Sequence, residues 1–203
     1  RTKGAGGKVV EMTVAGLALD ASTRSPIILL RDRTGRRQVP IWIDHAQAHN
    51  IVAGLQQSEV EPPLTHDLII AILHVGNLHL DRVIIHEIEG SNFQAILKLN
   101  IRETSNHTSE KIPPRTFEIE AKPSDAIALA VRTQSTIWML EKVVAEASIP
   151  VNEEADAKDQ TEFKRFLNDV SPADLIRHLK DRGENYKESS ETPEPDSDAT
   201  KQN

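Results

Sequence analysis

Hydrophobic and polar positions change period several times along the chain. Residues 9 to 20, V-V-E-M-T-V-A-G-L-A-L-D, alternate imperfectly and predict a strand that ends in a Ser/Thr/Pro turn. P-I-I-L-L-R-D and R-Q-V-P-I-W-I, joined by R-T-G-R, predict a hairpin in which Gly35 supplies the turn conformation. Beyond Asp44 the period lengthens: H-A-Q-A-H-N-I-V-A-G-L-Q sets Ala48, Ile51, Val52 and Leu55 on one helical stripe, with Asp44 as the natural N-cap. T-H-D-L-I-I-A-I-L predicts a second helix capped by Thr65. Its apolar side is nearly continuous, so the expectation is that it faces the core.

R-V-I-I-H-E-I, F-Q-A-I-L-K-L-N and T-F-E-I-E-A are three further strand candidates, the last two separated by a charged, Ser-rich loop. Ser124 is expected to cap the helix S-D-A-I-A-L-A-V-R, T-I-W-M reads as a short strand, and E-K-V-V-A-E-A as a helix. Two strands followed by an Asp-plus-Ala helix occur over both 27–56 and 93–132, an internal echo that would set two halves around one cleft. Residues 151–162 read as a linker or irregular helix. F-K-R-F-L-N-D-V and S-P-A-D-L-I-R-H-L-K form a helix pair that would bury Phe163, Phe166, Leu167, Leu175, Ile176 and Leu179. The prediction is an α+β fold: a compact mixed-sheet domain with flanking helices over 9–153, a short helical appendage over 154–182 and a disordered acidic tail over 183–203.

Charge changes what partners this fold can take. The net charge of -7 would disfavour a polyanion if spread evenly, yet residues 1–150 carry only -1, 151–162 carry -4, 163–180 carry +2 and 181–203 carry -4. The main body can therefore present a local basic surface. The chain has no cysteine, which excludes disulfides, thiolate metal sites and cysteine nucleophiles. Without an apolar run of about 18 residues no membrane span is expected, and the cytoplasm is the expected compartment.

The chain contains no phosphate-binding glycine loop, zinc signature or paired-carboxylate motif, so an active site must be assembled by folding. His66 can transfer a proton and Asp67 can bind a divalent ion, or else Thr65 and Asp67 merely start a helix. Asp125 stands in the first turn of its helix, where negative charge is favoured. Pro123 can hold Lys122, Ser124 and Asp125 in one polar corner, lysine for phosphate and aspartate for a metal. Arg31, Arg33, Arg36 and Arg37 surround the first hairpin turn and can contact backbone phosphates; a solvated tip explains them equally. His45 and His49 share a helix face but lack the intervening glutamate of a zinc-protease helix, and His86 reads as a strand-surface residue. Trp42 and Trp138, embedded in apolar runs, are expected in the core rather than stacked on a base.

V-P-I-W-I-D, P-P-L-T-H-D-L-I, D-R-V-I-I-H-E-I, F-Q-A-I-L and A-K-P-S-D-A-I-A-L-A-V-R, taken in order, resemble the bifunctional nuclease domain family over about residues 9 to 153. The resemblance implies a compact α+β domain, often a homodimer, in a family with members that act on both RNA and DNA. Its polar corners fall on His66 and Asp67 and on Ser124 and Asp125. This chain departs from the pattern at Lys122 and Pro62, where arginine is common, and at Gln47, where glutamate is common. The implied function is a metal-assisted phosphodiesterase of low sequence specificity: Asp67 and Asp125 hold Mg or Mn or polarise water, His66 transfers a proton, and Lys122 and Ser124 meet the phosphate. Two other readings stay open. One is a noncatalytic regulatory or protein-interaction domain with a partner bound through 163–180; the other is a nucleic-acid-binding module that uses the Arg31 to Arg37 turn without cleavage.

Overall fold

A computed structural model describes residues 7–57, 62–90, 92–101 and 115–169. The chain divides into a unit ending at Phe163 and a second beginning at Lys164. The first unit is built on one eight-stranded sheet of β1 (Val9–Leu19), β2 (Pro26–Asp32), β3 (Arg37–Trp42), β4 (Leu78–Glu89), β5 (Asn92–Ile101), β6 (Thr116–Ala121), β7 (Thr136–Leu140) and β8 (Ile149–Pro150). Their order is β6-β5-β4-β7-β1-β2-β3-β8. β4 and β7 run parallel and the other pairs antiparallel.

Side-chain alternation sorts the sheet into two faces. Met12, Ile137, Val83 and Leu97 are register partners in one row and all are buried, ending at the edge strand on half-exposed Ile119. The neighbouring row runs through Glu11, Trp138, Ile84, Ile96 and Glu120 on the other face. Each fully buried aliphatic side chain of the first row contributes about 1.5–3 kcal/mol relative to exposure.

The helices are α1 (His45–Leu55), α2 (Thr65–Val75), α3 (Pro123–Thr133), α4 (Glu141–Ala147) and α5 (Glu153–Asp169). The echo in the sequence corresponds to β2-β3-α1 and β5-β6-α3, and α1 packs against α3. Gly54 is what permits that packing: a Cβ there would lie 2.7 Å from Val131 Cγ2. α5 is regular helix from Glu153 where a linker or irregular helix was expected over 151–162. Its Gln160 Nε2 donates to Ala15 O at 3.1 Å, and its Phe163 is buried.

Several local expectations change. Asp44 does cap α1, accepting the Gln47 N–H at 2.7 Å while Gln47 Oε1 accepts the Asp44 N–H at 3.0 Å. Ser124 is not the cap of α3; Lys122 holds that place and Pro123 the first helical position, where its missing N–H costs nothing. Leu64 rather than Thr65 caps α2, because Asp67 reaches back to accept the Leu64 N–H at 3.0 Å. The apolar side of α2 does not face the core: only His66 of this helix is buried, and Leu68, Ile72 and Val75 are exposed. α2 meets α3 through its N-terminal polar residues, which leaves its aliphatic stripe outside. On α1, Ala48, Ile51 and Gly54 are buried and Leu55 is exposed, a stripe rotated toward the close contact with α3. Trp42 is not in the core; it is 57% exposed. Trp138 is half-buried on the face opposite the main core row. The Ser-rich loop, the helix from Ser171 and the acidic tail lie outside the described residues.

Candidate functional site

α2 and α3 bring their first turns together. His66, 7% exposed, points Nε2 at Asp125 Oδ1 across 3.4 Å. Asp125 can accept from His66 only when Nε2 carries a proton, and Nδ1 is buried without a hydrogen-bond partner among the described residues. The Asp125 side chain is 48% exposed, so the carboxylate is the member of this pair that meets solvent. Lys122 stands one turn before it, exposed, with buried Ser124 between them. Pro123 has no N–H, so the open donors of the α3 first turn begin with those of Ser124 and Asp125.

Asp67 occupies the equivalent third position of α2 and has a different task. Its Oδ1 accepts from Arg132 Nε at 2.8 Å and its Oδ2 from the Leu64 N–H. Arg132 also donates through Nη1 to Asn50 O at 2.7 Å and Ala128 O at 3.1 Å, so one guanidinium ties α1, α2 and α3. Sequence reasoning passed over Arg132. The available signal was a lone cation closing the apolar run A-I-A-L-A-V.

A divalent ion held by carboxylates needs open oxygen donors. Among the described residues no three His, Asp or Glu side chains converge on one point. Both Asp67 oxygens already accept hydrogen bonds, and the Arg132 guanidinium sets a positive charge against that carboxylate, which disfavours a divalent ion shared by Asp67 and Asp125. His45 and His49 are exposed on α1 and His86 is half-buried in β4, outside this corner.

A cleft of about 900 Å³ lies between the two strand-strand-helix halves. The first half contributes residues 41–44 and Gln47, the second residues 92–94 and 120–124, and Ser25 completes the lining. Lys122, Pro123 and Ser124 belong to it, so the start of α3 borders the cleft, while His66 and Asp125 are not among its lining residues. Trp42 stands at the end of β3 with its indole N–H donating to Asp20 Oδ2 at 3.3 Å. The backbone N–H and hydroxyl of Thr23, the Ser22 N–H and that indole hold the Asp20 carboxyl below the usual carboxylate range. The ring is thereby fixed by an ionised partner. Leaving this much indole in water forgoes roughly 2–3 kcal/mol of burial.

The arginine turn sits at the opposite end of the β2-β3 hairpin from Trp42, and most of its charges have partners. Arg33 Nη1 pairs with Glu11 at 2.9 Å, Arg36 Nε donates to Thr34 at 3.4 Å, and Arg31 Nη2 donates to Gln38 at 3.4 Å. Arg37 bridges Asp32 at 3.1 Å and Glu141 at 2.8 Å. Burial opposes ionisation of Asp32, but hydrogen bonds from Thr34, Arg37 and the Arg36 and Arg37 backbone outweigh it and hold its pKa below the ordinary value. Folding thus separates the four arginines from His66, Lys122, Ser124 and Asp125.

A family model described as bifunctional nuclease domain matches residues 28–152. Two uncharacterized proteins, from two strains of Mycobacterium tuberculosis, are each 33% identical over 175 residues, covering 81% of this chain and 97% of theirs.

Proposed function

The chain belongs to the bifunctional nuclease domain family, and from that membership we propose a phosphodiesterase that cleaves RNA and DNA with low sequence specificity. The observation that carries the reading is the half-exposed Asp125 carboxylate, backed by buried His66 and flanked by Lys122. In this scheme Asp125 accepts a proton from the attacking water, and the water oxygen bonds to phosphorus as the P–O bond to the leaving sugar oxygen breaks. That oxygen takes a proton from solvent. His66 keeps the carboxylate oriented, and Lys122 with the open N–H groups of the α3 first turn stabilises charge on the phosphoryl oxygens. No step passes through Asp67, whose carboxylate is committed to Arg132 and Leu64.

The test is cleavage of end-labelled single-stranded RNA, single-stranded DNA and duplex DNA, with and without added magnesium or manganese, by the wild type, Asp125→Asn and His66→Gln. Removing a general base costs roughly a hundred- to ten-thousand-fold in rate. Asp125→Asn is expected to lose that much while its urea midpoint stays near wild type. Intact substrate after prolonged incubation with the wild type under every condition sinks the reading.

A second reading, an assembly domain, is favoured by α2. Leu68, Ile72 and Val75 stand at i, i+4 and i+7 and are 57%, 60% and 90% exposed. Such a stripe is self-complementary under a two-fold axis, and a second copy of the chain is the occupant we propose for it.

A further inference from the structure

We propose that the cleft binds an unpaired nucleobase, with Trp42 as its stacking platform. The inference rests on the nucleic-acid reading above and is independent of whether the chain cleaves what it binds.

Four observations converge. Trp42 is a large aromatic left 57% exposed, and it lines a concave surface rather than a convex one. Its ring is fixed through the indole hydrogen bond to Asp20, so stacking would cost little rotamer freedom. The second half of the cleft contributes another aromatic, Phe93, and side-chain amides come from Asn92, from Gln94, whose Nε2 also reaches Glu89 at 3.4 Å, and from Gln47, whose Oε1 already accepts the Asp44 N–H. Amides both donate and accept, which matches the mixed edges of a base. A planar ligand with polar edges is what such a lining fits.

Charge decides between base and backbone. Asp44 and Glu120 oppose Lys122 in the lining, so the cleft is net negative. A groove that gripped phosphates along a strand would be basic. Here a single lysine remains for a phosphate, at the corner that also holds Ser124 and adjoins Asp125. The arrangement therefore selects single strands by stacking, and a duplex, whose bases are already stacked, is excluded. One released counterion implies a slope of log affinity against log salt of about -0.7 for a single strand. Binding through the four arginines of the β2-β3 turn would give a slope of about -3.

The experiment uses the full chain with Trp138→Phe, so that Trp42 is its sole tryptophan and its emission reports on the cleft. It is titrated in chelator with a ten-nucleotide single strand, the same sequence as duplex, an abasic strand of equal charge and a Phe-containing peptide free of Trp and Tyr. The expected result is quenching by the single strand alone, with the shallow salt slope. Anisotropy of the labelled strand is then measured for Trp42→Ala and Trp42→Phe, each checked for a wild-type urea midpoint. Alanine substitution at a base-stacking aromatic is worth a loss of roughly 5- to 150-fold in affinity, and Trp42→Phe is expected to lose far less than Trp42→Ala. Equal binding of the abasic strand or of duplex, unchanged affinity in Trp42→Ala, or quenching by the peptide in place of the strand would each overturn the proposal. Cleavage assayed with the same variants separates the two ideas. Cleavage that ignores Trp42, with no quenching, removes the base site and leaves the Asp125 scheme. Quenching and Trp42-dependent binding with no cleavage by the wild type keep the base site and remove the scheme.

Discussion

Asp67 and Asp125 occupy the same position, third in the first turn of a helix, and folding gives them opposite roles. Asp67 is drawn into the structure by Arg132 and the Leu64 N–H, whereas Asp125 faces His66 and solvent. The consequence is a double dissociation. Arg132→Met would strand the Asp67 carboxylate and the Asn50 carbonyl, at a cost of roughly 2–4 kcal/mol, below the full value for a wholly buried pair because Asp67 is partly exposed. Urea unfolding should register that loss. Asp125→Asn, by contrast, should leave the unfolding midpoint in place. Equal destabilisation by both would mean that the two carboxylates do the same structural job.

α1 and α3 approach closely enough that Gly54 faces Val131 and Arg132 without room for a methyl group. In an open helix Gly→Ala is stabilising by up to about 1 kcal/mol. Here the new Cβ would meet Val131 Cγ2 at 2.7 Å, so Gly54→Ala is expected to destabilise by about 1–3 kcal/mol instead. Adding Val131→Ala should recover part of that loss, a coupling that a double-mutant cycle in urea would read. Independent effects of the two substitutions would mean that the helices separate without cost. The same element scale explains why helix starts were harder to read than helices. Asp44 declared itself by its side chain, but α2 and α3 start at Leu64 and Lys122, neither of which makes a side-chain cap bond. The polar residues next to them in the sequence were therefore mistaken for caps.

Across the whole molecule, the two strand-strand-helix halves face one another around a cleft while α2 projects its aliphatic stripe outward. If that stripe pairs with a second copy, light scattering at micromolar concentration should report a dimer, and Ile72→Asp a folded monomer. A monomeric wild type would remove the assembly reading. Among the described residues no helix is long and apolar enough to cross a bilayer.

Strands β1 to β7 and helices α1 to α4 were legible because each rests on a local period; the two-residue β8 and the regular start of α5 were not, since one is too short and the other too polar to show one. Alternation marks β1 and the hairpins, and Gly35 at φ 70° closes the β2-β3 turn. The motifs of the polar corners likewise stood in the sequence, since residue type and spacing are local properties. What only the tertiary structure decided is direction. Eleven residues of apolar pattern on α2 cannot say which neighbour will cover them, and the sheet and α3 leave that stripe uncovered. A tryptophan in V-P-I-W-I reads as core from its neighbours, yet Trp42 ends its strand beside Asp20 at the rim of a cleft. Arg132 holds Asp67 across 65 residues of chain. Such contacts depend on which surfaces fold together, a long-range outcome of packing that local pattern does not encode.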